Sequence, residues 1–279
     1  MANDPYSKVW VSHTSINNFL KCPRAYWLLH IWKNPITGNR IQIINPALAL
    51  GQVVHDVLED LSNLPSEERL KDSILADFEN QWKKVYGKLG GFKTEEEEVG
   101  YKARGEAMIK RVMENPGPIL NKALKIPVRD NFDLPHYDFS AKDGVVLCGK
   151  IDWLEYLPET DSVHILDFKT GKNDEEKDSL QLPIYILLVK NCQSRAVTRV
   201  SYWYLDRDNK PAEVELPNLD EASERILAAA KKIKLARSLG SFKCPKGGCF
   251  NCRPLERIYA GEGEKVGVSS MRQDIFVLD

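Results

Sequence analysis

Val163-His164-Ile165-Leu166-Asp167-Phe168-Lys169-Thr170-Gly171 decides how this chain is read. Strand side chains alternate, so Val163, Ile165, Asp167 and Lys169 share one face. An acid and a lysine two residues apart, closing an otherwise apolar strand, are expensive to bury without a task. A divalent cation supplies one. Asp167 would ligate a hard ion such as Mg2+ or Mn2+, and Lys169 would position the attacking water or balance charge on a phosphate. From this stretch alone, a salt bridge at a strand end explains the pair equally well.

Upstream, Leu147-Cys148-Gly149-Lys150-Ile151-Asp152-Trp153-Leu154 is β-patterned and carries a second acid. A turn at Pro158–Asp161 would fold it into a hairpin with the Asp167 strand and bring Asp152 and Asp167 to one cation. Further upstream, Ala47 to Leu61 reads as a strongly apolar helix, on which His55 and Glu59 align at i,i+4. His55 is open to two readings, a metal ligand or a satisfied core histidine. Downstream, a helix from about Ser179 to Asn191 accommodates Pro183 in its first turns and aligns Gln181 with Tyr185. That pair either faces DNA and braces the site or borders a buried helix.

Gly51-x3-His55, Gly149-x2-Asp152, Asp167-x-Lys169 and Gln181-x3-Tyr185 stand in the order and approximate spacing of the RecB-like branch of the PD-(D/E)XK nucleases, which the chain resembles. The resemblance implies that His55, Asp152 and Asp167 ligate Mg2+ or Mn2+ together with the carbonyl of Phe168. It also implies that Lys169 is the catalytic lysine and that Gln181 and Tyr185 support it on the DNA side. The implied reaction is phosphodiester hydrolysis by a metal-activated water. The implied substrate is DNA, trimmed from single-stranded ends. A non-catalytic DNA-binding or scaffold protein on the same fold is the alternative, disfavoured because Asp152, Asp167 and Lys169 are all intact.

Cysteine usage extends the resemblance. Cys22 lies near the start, and Cys244-x4-Cys249-x2-Cys252 lies near the end. One early and three late cysteines resemble the iron–sulfur members of this branch, namely the CRISPR-associated exonucleases and the AddB-type helicase–nucleases. There, four thiolates hold a [4Fe–4S] cluster that ties an N-terminal helix to a C-terminal lobe. The longer gap comes first here, the reverse of the usual late spacing, and four thiolates also suit tetrahedral zinc. Cys148 and Cys192 read as core residues. Next to Cys22, Arg24 and Tyr26 are candidates for a single-stranded DNA path, with packing as the other reading for Tyr26.

The remaining chain fixes the layout. Ser12 to Trp32 reads as a helix, Asn34 to Pro46 as a loop, and Ser66 to Glu114 as two or three amphipathic helices broken around Gly87 to Phe92. Glu95–Glu98 reads as a solvated helix start. Val197–Leu205 is a strand. Leu219–Leu239 is a helix with a basic side (Lys231, Lys232, Lys234, Arg237), either solvated or facing phosphates. Ser241 to Arg257 has little propensity for regular structure. The resemblance makes this α/β: a restriction-endonuclease-like central mixed sheet flanked by helices, with a helical N-terminal region and a C-terminal cysteine lobe. One nuclease domain is expected over 1–279, divided into a mainly helical 1–120, a catalytic sheet core 121–217, and a helix plus cysteine-rich lobe 218–279.

With 279 residues, 43% hydrophobic and 28% charged, the chain can bury a sizeable core. A net charge of −1 excludes a polycationic nucleic-acid coat and leaves DNA contact to a local groove. Met1–Pro5 lacks a charged-then-apolar leader, and no apolar run approaches the ~18 residues that span a bilayer. A cytoplasmic protein without a membrane partner is expected, within a recombination or CRISPR adaptation complex. Thr170-Gly171-Lys172-Asn173 fails as a phosphate loop, because position 166 is Leu and Lys172 is followed by Asn.

Overall fold

The computed structural model describes residues 8–71, 73–128 and 134–278; the Met1–Pro5 reading lies outside them. In chain order the elements are β1 (Val9–Val11), α1 (His13–Lys21), α2 (Pro23–His30), β2 (Arg40–Ile43), α3 (Pro46–Asp60), α4 (Ser73–Trp82) and α5 (Glu95–Glu114). Next come β3 (His136–Ser140), β4 (Val145–Cys148), β5 (Trp153–Leu157), β6 (Ser162–Lys169), α6 (Gln181–Cys192), β7 (Val197–Tyr204) and β8 (Ala212–Val214). The chain closes with α7 (Leu219–Leu239), α8 (Arg253–Tyr259), β9 (Glu264–Val268) and β10 (Gln273–Val277). The expected mixture of helices and mixed sheets is present, with the strands distributed over three small sheets. Among the described residues no helix is long and apolar enough to cross a membrane.

Two compact units share the chain. One takes Ile44–Pro127 and Lys150–Pro217. Its sheet runs β5-β6-β7-β8. β5 and β6 form the antiparallel hairpin expected across Pro158–Asp161, with Trp153 opposite Leu166. β6 and β7 are parallel, so a crossover must join them, and α6 is that crossover. β6 is buried from Ser162 through Phe168, as befits a central strand covered on both faces. Pro183 stands in the first turn of α6, where its missing N–H breaks no helical bond.

α3 begins where Asn45 accepts the Leu48 N–H at 3.0 Å, with Pro46 in its first turn. It buries Ala49, Leu50, Val53, Val54, Val57 and Leu58. α5 starts at Glu95 as expected, capped by Thr94, but Glu98 is more than a solvated charge. It accepts from Trp82 Nε1 at 3.0 Å and from the Gly87 N–H at 2.8 Å. Arg69 is buried, and among the described residues no carboxylate forms an ion pair with it. Its guanidinium donates instead to the carbonyls of Leu61, Leu64, Ile119 and Asn121 and lies over the Trp153 ring. Beneath the hairpin, His164 joins Glu155 at 2.6 Å and Ser201 at 2.8 Å, so these buried polar groups are satisfied internally.

The other unit draws on the described residues of Met1–Ile43, Val128–Gly149 and Asn218–Asp279. Its two sheets run β1-β4-β3 and β2-β10-β9. The single helix expected over Ser12 to Trp32 is two helices, because Pro23 has no N–H to give and holds Cys22 extended at φ −165°, ψ 111°. The expected loop Asn34 to Pro46 contains β2, which pairs in parallel with β10. Asp274 pins that pairing from a fully buried position, accepting from Asn34 and Asn39 at 3.0 Å and from Thr37, with Lys265 at 2.8 Å. α7 spans the helix expected, and two of its lysines close on Asp143: Lys231 pairs with the carboxylate at 3.3 Å and Lys234 donates to the carbonyl.

Candidate functional site

Asp167 and Lys169 leave β6 on one face, as alternation requires, at the register where β7 presents Tyr202 and Tyr204. Asp167 is fully buried, 0% exposed. Its Oδ1 accepts from Gln181 Nε2 at 2.7 Å. Its Oδ2 forms an ion pair with Lys169 Nζ at 2.8 Å and makes no further hydrogen bond among the described residues. A buried carboxylate oxygen left in this condition is a ready acceptor for a cation. Burial, with Asp152 nearby, pushes the Asp167 carboxyl up from its ordinary range despite the lysine.

Lys169 is held by four neighbours. Its ammonium donates to Gln181 Oε1 at 2.5 Å, pairs with Asp167 and with Glu175 at 2.8 Å each, and sits 4.9 Å from the Tyr202 ring centre. Burial works against the charged form, but Asp167 and Glu175 outweigh it and raise the Lys169 pKa, so the group is an ammonium. Gln181 therefore connects Asp167, Lys169 and, at 3.1 Å, the hydroxyl of Tyr185. One helical turn separates Gln181 from Tyr185, which is why one face of α6 serves both contacts.

Asp152 ends the bend that leads into β5, and the Phe168 N–H donates to its Oδ2 at 2.9 Å. The same oxygen lies 3.4 Å from His55 Nδ1. Glu59, one turn further along α3, places Oε1 3.7 Å from that nitrogen and pairs through Oε2 with Lys150. Gly51 begins the His55 segment for a visible reason: a Cβ there would meet Thr170 Oγ1 at 3.2 Å, so the helix can lie close to the end of β6. His55 feels burial, which disfavours its charge, but Asp152 and Glu59 overcome that and lift it to about 10. Such a cluster calls for positive charge. Ligand atoms of His55, Glu59 and Asp152 all lie within 4.8 Å of one another, and Asp167 falls outside that closest group. Nitrogen and carboxylate oxygens suit a hard or borderline divalent cation.

The four cysteines picked out by spacing also come together, in the other unit. Cys22, Cys244, Cys249 and Cys252 offer sulfurs within 4.8 Å of one another. Cys22 and Cys252 are buried in the apolar cluster of Ala25, Leu28, Ile41, Leu255, Ile258 and Phe276. Burial pushes the Cys22 thiol up, whereas the Cys252 N–H and neighbouring amides hold Cys249 down to about 6. Thiolate-favouring amides aimed at a sulfur quartet are what a thiophilic metal centre uses. Cys148 sits half-buried, 3.5 Å from the Val11 carbonyl, and Cys192 is buried. Neither belongs to the quartet.

Arg24 and Tyr26 are placed differently from the DNA path expected. Tyr26 is 2% exposed, stacked between His30 and Phe242, so it takes the packing role and leaves no ring face for a base. The Arg24 guanidinium is gripped by Glu256 at 2.5 and 3.0 Å and lies over the rings of Trp27 and Tyr259. Sequence reasoning missed Glu175 and Lys150. Glu175 lies among Asn173-Asp174-Glu175-Glu176, which looks like any solvated turn, and only the fold directs it to Lys169.

The chain matches the PD-(D/E)XK nuclease superfamily over residues 10–253. It belongs to that superfamily, a class of nucleases, and the mixed sheets flanked by helices agree with a restriction-endonuclease-like fold. It is similar to a Eubacterium rectale protein of known crystal structure named "Putative exonuclease", at 13% identity, with 97% of each chain covered and a TM-score of 0.49. No curated protein matches the sequence.

Proposed function

We propose that this protein is a metal-dependent deoxyribonuclease that trims DNA from single-stranded ends. One observation carries the reading: a fully buried aspartate whose Oδ2 faces a lysine fixed as an ammonium, on the strand that faces His55 and Asp152. His55, Asp152, Asp167 and the carbonyl of Phe168 would hold Mg2+ or Mn2+. A bound cation supplies charge neutralisation at the scissile phosphate and acidifies water. Lys169, held as an ammonium by Asp167 and Glu175, stabilises charge developing on the phosphate and orients its nucleophile. Gln181 fixes Lys169 and Asp167 relative to each other, and Tyr185 fixes Gln181. Glu175 keeps the ammonium in the site before substrate enters.

In the same reading, Cys22, Cys244, Cys249 and Cys252 hold a [4Fe–4S] cluster, with zinc as the second candidate for four thiolates. The membership in a nuclease superfamily and the internal binding of Lys169 favour an enzyme over a DNA-binding scaffold. The setting proposed is a recombination or CRISPR adaptation complex.

The test is a time course with single-stranded DNA labelled at either end, using anaerobically purified protein with Mn2+ or Mg2+ and an EDTA control. Cation-dependent shortening from one end is expected, and the label gives the polarity. Internal cuts would replace the exonuclease reading with an endonuclease. No cutting by folded protein would overturn the catalytic reading.

A further inference from the structure

We infer that Glu59 is a ligand of the catalytic cation, so that α3 contributes two donors, His55 and Glu59, from successive turns. The inference rests on the proposed metal site and specifies its ligand set. Three observations carry it. First, helical spacing puts Glu59 on the His55 face, with Oε1 3.7 Å from Nδ1. Second, the closest group of ligand atoms is His55, Glu59 and Asp152, all within 4.8 Å. Donors on one octahedral Mg2+-sized ion, each about 2.1 Å from it, stand roughly 3 to 4.2 Å apart, so little adjustment is needed. Third, Asp167 Oδ1 accepts from Gln181 while Oδ2 lies 2.8 Å from Lys169, so Asp167 offers the cation one oxygen and leaves room for a further carboxylate donor. The Lys150 pair uses Glu59 Oε2 and leaves Oε1, the oxygen beside His55, to face the cation.

The competing explanation is that Glu59 exists to hold Lys150, with which its Oε2 pairs. The two explanations predict opposite signs. If Glu59 ligates the cation, Lys150 competes for it, and removing Lys150 frees the carboxylate. If Glu59 only anchors Lys150, removing either partner has the same consequence.

The experiment titrates Mn2+ into the intact, DNA-free protein and follows the free ion by electron paramagnetic resonance. Circular dichroism checks the fold of each variant. Glu59→Gln is expected to weaken Mn2+ binding by about tenfold or more, a loss in the range typical for metal-site groups. Lys150→Gln is expected to leave binding unchanged or tighten it. Asp60→Asn, an exposed acid on the same helix, serves as the charge control and should change binding less than about twofold. Asp152→Asn separates the two levels of the argument. If Asp152→Asn weakens binding and Glu59→Gln does not, the Glu59 inference is overturned while the metal site stands. If Asp152→Asn has no effect, the metal-site reading itself falls. Equal weakening by Glu59→Gln and Lys150→Gln would also overturn the inference, in favour of the salt-bridge role. Should Glu59→Gln fail to fold, Glu59→Asp shortens the reach of the same charge and is expected to weaken binding in the same direction.

Discussion

His55, Asp152, Asp167, Lys169 and Gln181 stand on, or at the edge of, a long helix, a hairpin and a crossover helix, whereas Cys244 and Cys249 stand in turns and Cys252 at the start of a seven-residue helix. The first cluster inherits its geometry from backbone periodicity: two residues along β6, one turn along α3, one turn along α6. Its scaffold is held by protein contacts such as Arg69 on four carbonyls and His164 between Glu155 and Ser201. The second cluster has a modest apolar surrounding, and its approach from Ser241 to Cys252 has no regular backbone ladder. Its shape should depend on what the thiolates bind. The comparison teaches where a ligand would matter to shape: the first site is positioned by regular elements, while the second lies in irregular chain that a bound metal centre would order.

That contrast can be broken in several places. Cys249→Ser should abolish the visible absorbance of anaerobically purified protein and destabilise the cysteine region by at least ~4 kcal/mol, since loss of a metal centre is among the few single changes of that size. Hydrogen exchange over residues 241–259 reads it; unchanged protection would mean that this region does not need its ligand. Arg69→Ala should cost about 3 kcal/mol in the catalytic unit by leaving buried carbonyls without donors, measured by chemical denaturation. A cost below about 1 kcal/mol would show that the catalytic scaffold is held by something else.

Asp152→Asn should leave the cation-free protein about as stable as before, because the charge it removes both repels Asp167 and pairs with His55, and the two effects oppose each other. It should instead remove most of the stabilisation conferred by Mn2+, about 2.7 kcal/mol at a hundredfold excess over Kd. A large loss of stability without metal would make Asp152 a structural residue.

The smallest effect is in pH. His55 is raised to about 10 from an ordinary 6.5, so its contribution to the cation-free protein is full below about 6.5 and is lost as pH rises toward 10. Thermal stability of cation-free protein should fall over that window, and less so in His55→Asn. Mn2+ affinity should run the other way, strengthening as the imidazolium releases its proton. Parallel trends would contradict the assignment of His55 to the cation.

Much of the first site was legible because its residues follow the periods of regular elements. The hairpin, α3, α6 and α7 emerged from apolar patterning; hydrogen bonds of Gln181, Asp152 and Lys169 join three of the short motifs, and the His55–Asp152 contact brings in the fourth. The two histidines show the limit. His55 and His164 both sit in apolar runs, and only the fold reveals that one faces carboxylates at a half-buried edge while the other is enclosed between Glu155 and Ser201.

β2 was hidden because its partner β10 lies some 230 residues away in sequence, and the local hairpin that β10 makes with β9 says nothing of β2. β9 carries Glu264, Lys265 and Gly267, a composition that does not announce a strand. Tyr26 beside a basic residue suggested a stacking surface, but burial is a tertiary property that a nine-residue window does not contain.

The most direct test of the account is the single-turnover rate of single-stranded DNA cleavage by Lys169→Ala, measured with saturating Mn2+ and a confirmed fold. The account predicts a rate at least about a thousandfold below the unaltered protein, since an ammonium fixed against the phosphate acts on the transition state. A rate within tenfold of the unaltered protein would contradict it and move the chemistry away from the Asp167–Lys169 strand.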